Sequence, residues 1–334
     1  MKVSSKNNLF IDNISNVNIH YESKASSPIY SILQLESGII VMGLYNGYLN
    51  FYSQTDLKNP SSSLIVDKFP INSIIQVQDD QLLCNSGSFI YLIFENKLNK
   101  LDYNKTEKID IDNIYGKINK VLLLPDDSLI VGDNKYISLF KKKGKKIAYL
   151  KQIKINSPIL DLIMIHSNLV MGVSPKKQSL ILVDMDKFAQ NYEINNIKFC
   201  EDINFGNLVC KLNQDILVVG GCIGRVYLVS LKNKQFLASV NINYKDEIIT
   251  SIHRMKNGDL LCGVSMLANE SKGQNKFINS NLVQYRYENK IFKEINRKEN
   301  AHDDVIKRVC DIINYKGIIE IGSISLDSTF KLLD

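Results

Sequence analysis

Along this chain an apolar pair spaced i, i+3 keeps returning, each time opening a short run dense in branched and aromatic residues. It is Ile29/Ile32 in SPIYSILQL, Ile71/Ile74 in FPINSIIQV, Ile118/Val121 in GKINKVLLL and Ile159/Leu162 in SPILDLIMI. Fainter copies are Val209/Leu212, Ile249/Ile252 and Ile306/Val309. Successive copies lie 42, 47, 41, 50, 40 and 57 residues apart. A second apolar run follows each copy and usually closes on glycine: Gly43, Gly132, Gly172, Gly220, Gly263 and Gly322, with Asn85 in that place in the second copy. The step from Ile29 to Gly43 is repeated from Ile118 to Gly132 and from Ile249 to Gly263, a register that chance rarely produces. A third run comes next, as YLNFYS, FIYLIF, YISLFK, SLILVD, RVYLVS, LVQYRY and TFKLLD.

The residue types favour a pleated surface, and few windows carry a helical period with caps. Turn residues separate the second and third runs, as at Asn46-Gly47, Asp133-Asn134 and Ile223-Gly224. Asn-Gly between two apolar runs signals a hairpin whose two turn positions both take positive φ. Many second and third runs are apolar at nearly every position, whereas a strand covered on one face alternates. These strands are therefore expected to be covered on both faces, as between stacked sheets. A period of about 40–50 residues is that of propeller blades, and a ring of four-stranded sheets leaves few exposed edges.

Fourth strands read more faintly as SLIVDKF, IAYLKQIKI, QFLASVNI and IFKEINR. The seventh unit ends at Asp334 directly after its third strand, and the segment Phe10 to Tyr21 (FIDNISNVNIHY) is expected to complete it and hide the sheet edge. The expectation is one all-β domain over 1–334, a seven-bladed β-propeller closed by an N-terminal strand. Its blades fall at about 27–70, 71–115, 116–156, 157–198, 205–243, 246–299 and 302–334 plus 10–21.

The last unit, AHDDVIKRVCDI followed by GIIEIGSISLDSTFKLLD, resembles a WD40 repeat. Ala301-His302 stands where that family has Gly-His, Ser325, Asp327 and Thr329 match its S-x-D-x-T stretch, and Lys331-Leu332-Leu333-Asp334 resembles its closing K-L-W-D. The resemblance implies a hydrogen-bonded network that stiffens the blade, here reduced to His302, Asp327 and Ser325. Leu333 replaces the family's Trp, and the chain has no Trp at all. The other units share period and pattern only. Kelch and quinoprotein-type propellers fit less well, since their glycine pairs and Trp signatures are missing.

With 334 residues, length alone would allow two domains, but a propeller of this size can be one. Hydrophobic residues at 45% and charged residues at 23% describe an ordinary globular chain. A net charge of +6 is no nucleic-acid footprint in itself. The opening MKVSSKNNLFIDN lacks the apolar core of a secretory signal, and the most apolar region, 157–173, is broken by Asp161 and His166. This predicts a cytoplasmic protein, with the nucleus as the alternative, and no membrane insertion. Cys84, Cys200, Cys210, Cys222, Cys262 and Cys310 form no C-x-x-C pair, and most sit in apolar runs, which predicts reduced, buried thiols. The four histidines are scattered, so neither a zinc site nor a cofactor is expected.

Each candidate site has a plain structural reading beside the functional one. His302 and Asp327 could be a catalytic pair, but no nucleophile stands near them in the pattern, and the repeat gives them a structural role. The loop bearing Lys141, Lys142, Lys143, Lys145 and Lys146 could serve nuclear import or phosphate binding. Without interleaved aromatics it reads as a solvated hairpin. The stretch Leu267–Ser280, with Lys272, Lys276 and Phe277, reads as a surface loop inserted between two strands or as a partner-binding loop. Asn72, Asn119 and Asp161 could hold a metal in a central channel, as in lactonase-like propellers, but their spacing is not diagnostic. No phosphate-loop, serine-hydrolase or metalloprotease motif is present, and no catalytic residue is assigned. Entry loops and second-to-third loops share one face, so Tyr30, Tyr45, Asn46 and the 267–280 insertion are expected on the partner side. The expected function is a non-catalytic protein-interaction scaffold. The alternatives are a metal-bearing propeller enzyme and a basic nucleic-acid or phospholipid reader.

Overall fold

In the computed structural model, residues 19–78, 81–96, 99–109, 116–143, 146–195, 197, 208–221, 225–241, 247–268, 276–289 and 291–333 are described. They form seven antiparallel four-stranded sheets, the blades of a β-propeller. Blade 1 comprises Ile29–Gln34, Ile40–Leu44, Tyr48–Tyr52 and Ser62–Ile65. The first strands of blades 2 to 7 are Ile71–Gln78, Lys120–Leu123, Asp161–His166, Val209–Lys211, Glu247–Arg254 and Ile306–Ile313. Every blade has its fourth strand. Those of blades 2 and 4, Asn99–Ile109 and Ala189–Ile194, are too polar to stand out in the sequence.

Seven apolar clusters among the described residues fill the seven junctions between neighbouring sheets. This is why second and third strands are apolar on both faces: Ile40–Leu44 and Ser128–Gly132 are buried at every position. The repeat glycines have a physical cause in the same seams. A Cβ on Gly43, Gly132, Gly220 or Gly263 would lie 2.7–2.8 Å from the leading isoleucine of the next blade (Ile71, Ile159, Ile249 or Ile306). Gly172 and Gly322 are crowded differently, by Ile137 and Ile159 and by Ile312 and Phe330. In blade 2, Asn85 replaces the close approach with a hydrogen bond, its Nδ2 donating to the Ile118 carbonyl at 2.9 Å.

The turn at Asn46-Gly47 differs from expectation. Only Gly47 has positive φ (83°), and its N–H donates to the Leu44 carbonyl at 3.2 Å. This is a type I turn followed by a left-handed glycine. A Cβ there would fall 1.8 Å from the Asp67 carbonyl oxygen.

An N-terminal strand closes the ring, although its bounds shift from those expected. Ile19–Lys24 pairs with Thr329–Leu333, from Ile19 opposite Leu333 to Lys24 opposite Thr329. The expected segment began at Phe10, and residues 10–18 lie outside the described part. Gln34 also bridges blades 1 and 7, donating to the Ile313 carbonyl at 2.5 Å and accepting from the Ile313 N–H at 2.7 Å.

The 267–280 stretch is not simply a loop: it extends a hairpin. Leu260–Ala268 and Lys276–Glu288 stay paired as far as Ala268 opposite Lys276. The outer strand of this blade, Ile291–His302, is correspondingly long. His302 therefore ends blade 6 rather than opening blade 7. Two arginine clusters brace these strands. Arg286 holds Asp259 through two hydrogen bonds, of 2.9 and 3.0 Å. Arg297 holds Glu247 at 2.8 Å and Glu294 through two bonds of 3.0 Å.

Two predictions test these seams. Gly132→Ala overpacks the junction against Ile159 and should lower the unfolding free energy by about 1–3 kcal/mol in a urea titration. An unchanged midpoint would mean that the isoleucine has room to move. Deleting residues 1–24 removes the partner of Thr329–Leu333 and should abolish soluble, cooperatively unfolding protein. A truncation as stable as the full chain would show that the strand is dispensable for closure.

Candidate interaction face

The first strands line the centre of the ring. Four of them carry a β-bulge at the residue after the leading isoleucine: Tyr30, Asn72, Thr250 and Lys307. A bulge leaves one residue out of the ladder and re-aims its side chain. Tyr30, Asn72 and Lys307 are the second residues of their strands, on the face that carries the entry loops, and Thr250 is the fourth of its longer strand.

Tyr30 meets Tyr45, whose backbone N–H is fixed to the Pro28 carbonyl at 2.8 Å. The two rings lie 5.6 Å apart, tilted by 40°. Tyr45 is 53% exposed, a large aromatic surface held in place beneath but open above. The Lys307 ammonium sits 5.1 Å from the Tyr30 ring centroid, within cation–π range. Burial, then the neighbouring Lys117 and Lys120, pushes Lys307 down to about 7. Burial also lowers Lys117. The Tyr30 hydroxyl is raised by burial, then by Tyr45 and Asp304. On the same face Phe69 is 43% exposed, with the Lys68 ammonium 5.4 Å from its ring centroid.

The expected partner-side residues are thus only partly assembled. Tyr30 and Tyr45 come together, and Asn46 lies beside them in the turn. Lys272 is outside the described residues; Lys276 and Phe277 lie in the extended hairpin, and their side chains are not described. The sequence reading missed Lys307, Lys117 and Lys120. The repeat register held a signal, since Lys307 follows Ile306 as Tyr30 follows Ile29.

The lysine-rich hairpin lies on the opposite face. Lys141 turns back onto its own blade, 2.8 Å from the Asp126 carboxylate and 3.3 Å from Ser128 Oγ. Its hydrogen bond to Asp126 is the leading cause holding that carboxyl below its ordinary range. Lys143 and Lys146 pair as strand residues, and nothing is described of the side chains of Lys142, Lys143, Lys145 and Lys146.

His302 is fully buried in a network wider than expected. Its Nδ1 lies 2.7 Å from Thr329 Oγ1 and 3.2 Å from Asp327 Oδ2, and its Nε2 lies 2.9 Å from Ser323 Oγ. Thr329 gives its own hydroxyl proton to Asp327 Oδ1 at 2.5 Å, so Nδ1–H is the donor and Nε2 accepts from Ser323. Ser325 does not touch the imidazole. It accepts from the Asp327 N–H at 3.2 Å and donates to the Asp304 carbonyl at 3.1 Å. Burial lowers the His302 pKa and outweighs the pull of Asp327, so the ring is neutral. Burial raises Asp327, but hydrogen bonds from His302 and Thr329 outweigh it and hold the carboxyl well below the usual range.

Asn72, Asn119 and Asp161 are each engaged separately. Asn72 donates to the Ile118 carbonyl at 3.3 Å and Asn119 to Asn134 at 3.2 Å, while Asp161 pairs with Lys120 at 3.1 Å. Among the described residues no group of three or more His, Cys, Asp or Glu side chains is gathered as a metal site requires. Cys84, Cys210 and Cys262 are buried free thiols, Cys310 is partly buried, and burial pushes Cys210 up to about 12. No helix among the described residues is long and apolar enough to cross a membrane. No family model matches the chain, and no curated protein shows significant sequence similarity to it.

Asp327→Ala strips a buried network of its acceptor and should cost about 1–3 kcal/mol in chemical unfolding. The pH dependence has a definite sign. His302 binds its proton less tightly folded than unfolded, where it titrates near 6.5. Its contribution is therefore present above about pH 6.5 and is lost as pH falls through the lower folded value. Asp327 adds a second loss below about pH 4, as pH falls through its depressed folded pKa. Stability should decline from pH 7 to pH 5 with a slope that His302→Gln flattens. Equal slopes in wild type and variant would assign the decline to another group.

Proposed function

We propose that this protein is a diverged WD40-repeat propeller acting as a non-catalytic scaffold that holds a partner protein against the tyrosine face. One observation carries the reading: exposed Tyr45, packed at a tilt against Tyr30, with Lys307 against Tyr30 at a bulge of a ring-lining strand. A rigid aromatic loses little entropy when a partner covers it, and tyrosines are frequent interface hot spots. The lysines around the mouth favour a partner segment in which an acidic residue flanks an aromatic or apolar one. The WD40 part rests on the His302–Asp327–Thr329–Ser323 network in the last repeat, with Leu333 buried in place of the family's Trp. His302, neutral and fully committed to hydrogen bonds, is better suited to stiffening the blade than to moving protons.

The test is affinity capture from the native cell with wild-type and altered bait. Tyr30→Ala with Tyr45→Ala should weaken capture of the main partner at least tenfold and leave the thermal midpoint almost unchanged. Neutralising Lys141–Lys146 should leave capture intact. If neutralisation abolishes capture and the tyrosine pair is silent, the partner uses the other face.

A further inference from the structure

The face opposite the tyrosines holds a cavity of about 740 Å³ that the scaffold reading does not use. Three consecutive blades build it. His166, Lys211 and Arg254 are the last residues of the first strands of blades 4, 5 and 6. Asn213, Asp215 and Lys232 come from the turns of blade 5. Three permanent cations thus face one shared space with a single carboxylate, Asp215.

The cations differ in how they are held. Lys211 donates one ammonium hydrogen to the Ile165 carbonyl of the preceding blade, which fixes the head group and leaves two donors. Arg254 and Lys232 make no hydrogen bond or ion pair among the described residues, and both are exposed. Asn213 is occupied by its own turn, its Oδ1 accepting from the Asp215 and Ile216 N–H groups at 2.9 and 2.8 Å.

We propose that this cavity is a binding site for a phosphomonoester. The volume falls in the range of small-ligand pockets. A guanidinium offers a planar fork to phosphate oxygens, and two ammoniums from separate directions add charge-assisted bonds. Three donors around one space suit the three terminal oxygens of a dianion, whereas one carboxylate would leave a cation unanswered. Three cations in one basin are too few to track a nucleic-acid backbone. The phosphate can arrive on a free metabolite or on a phosphorylated side chain of a protein, and the chemistry is common to both. The site lies on the opposite face from the tyrosine pair and does not rest on the scaffold reading.

The test is calorimetric titration of the full chain with inorganic phosphate, ribose 5-phosphate and a phosphoserine heptapeptide, beside ribose and the unphosphorylated peptide. Phosphorylated probes should bind and their plain counterparts should not. Arg254→Ala and Lys232→Ala, both at exposed side chains, should each weaken binding at least tenfold, while Lys68→Ala on the other face should not. Tighter binding of ribose 5-phosphate would point to a metabolite, and tighter binding of the peptide to a protein ligand; either supports the site. The proposal is overturned if no phosphorylated probe binds, if Arg254→Ala with Lys232→Ala binds as wild type does, or if acetate competes as well as phosphate.

Discussion

The contact between one blade's second strand and the leading isoleucine of the next blade governs this molecule. Each sheet has two apolar faces, and neither can be buried unless a neighbouring sheet comes close. At Gly43, Gly132, Gly220 and Gly263 the backbone gives up its side chain so that Ile71, Ile159, Ile249 and Ile306 can seat. The missing Cβ sets how near neighbouring blades stand close to the axis, and the seven apolar clusters fill the space outward from there. Polar contacts repeat the same step, as where Ser31 Oγ donates to the Ile71 carbonyl at 2.7 Å and the Val309 N–H donates to Ser251 Oγ at 3.0 Å.

A ring built from such steps is stable only if it closes. Closure couples residues at opposite ends of the chain: Ile19–Lys24 with Thr329–Leu333, and Gln34 with Ile313. The His302 network adds stiffness at the last junction, because it ties the end of blade 6 to the second and third strands of blade 7. Blade 6, with the longest strands, relies on buried charge as well. Asp259 and Glu247 are almost wholly buried, and each is held by an arginine, which keeps their charge from being a liability.

Rigidity gives the two faces different chemistry. Strand direction sends entry loops and second-to-third turns to one side, and the remaining turns to the other. Bulges at Tyr30 and Lys307 turn one face into an aromatic platform with lysine amines near it. Two first-strand ends, Lys211 and Arg254, and Lys232 from a turn of blade 5 turn the other into a cationic basin. Each arrangement combines first-strand residues with a short turn between two strands of one blade, Tyr45 on one face and Lys232 on the other.

By itself the sequence determined the number of blades, their strand order and the need for a closing strand. Those follow from spacing: the isoleucine-to-glycine register recurs because the same steric step is taken at four of the seven junctions. It also marked Tyr30, Tyr45, His302 and Asp327, each by its place in a repeat. Only the tertiary structure decided what depends on contact between blades or across strands. Ser323 rather than Ser325 meets the imidazole: the two share a face of the strand, but Ser325, two residues further along, is taken by the Asp304 carbonyl and the Asp327 N–H. The 267–280 stretch extends a hairpin because Leu267 and Ala268 find partners in Phe277 and Lys276, although the composition is polar. Lys307 meets Tyr30 from 277 positions along the chain, and Lys211, Lys232 and Arg254 meet from two blades. Periodicity records the steps around the ring, whereas the chemistry at its centre depends on which distant residues the closed ring brings together.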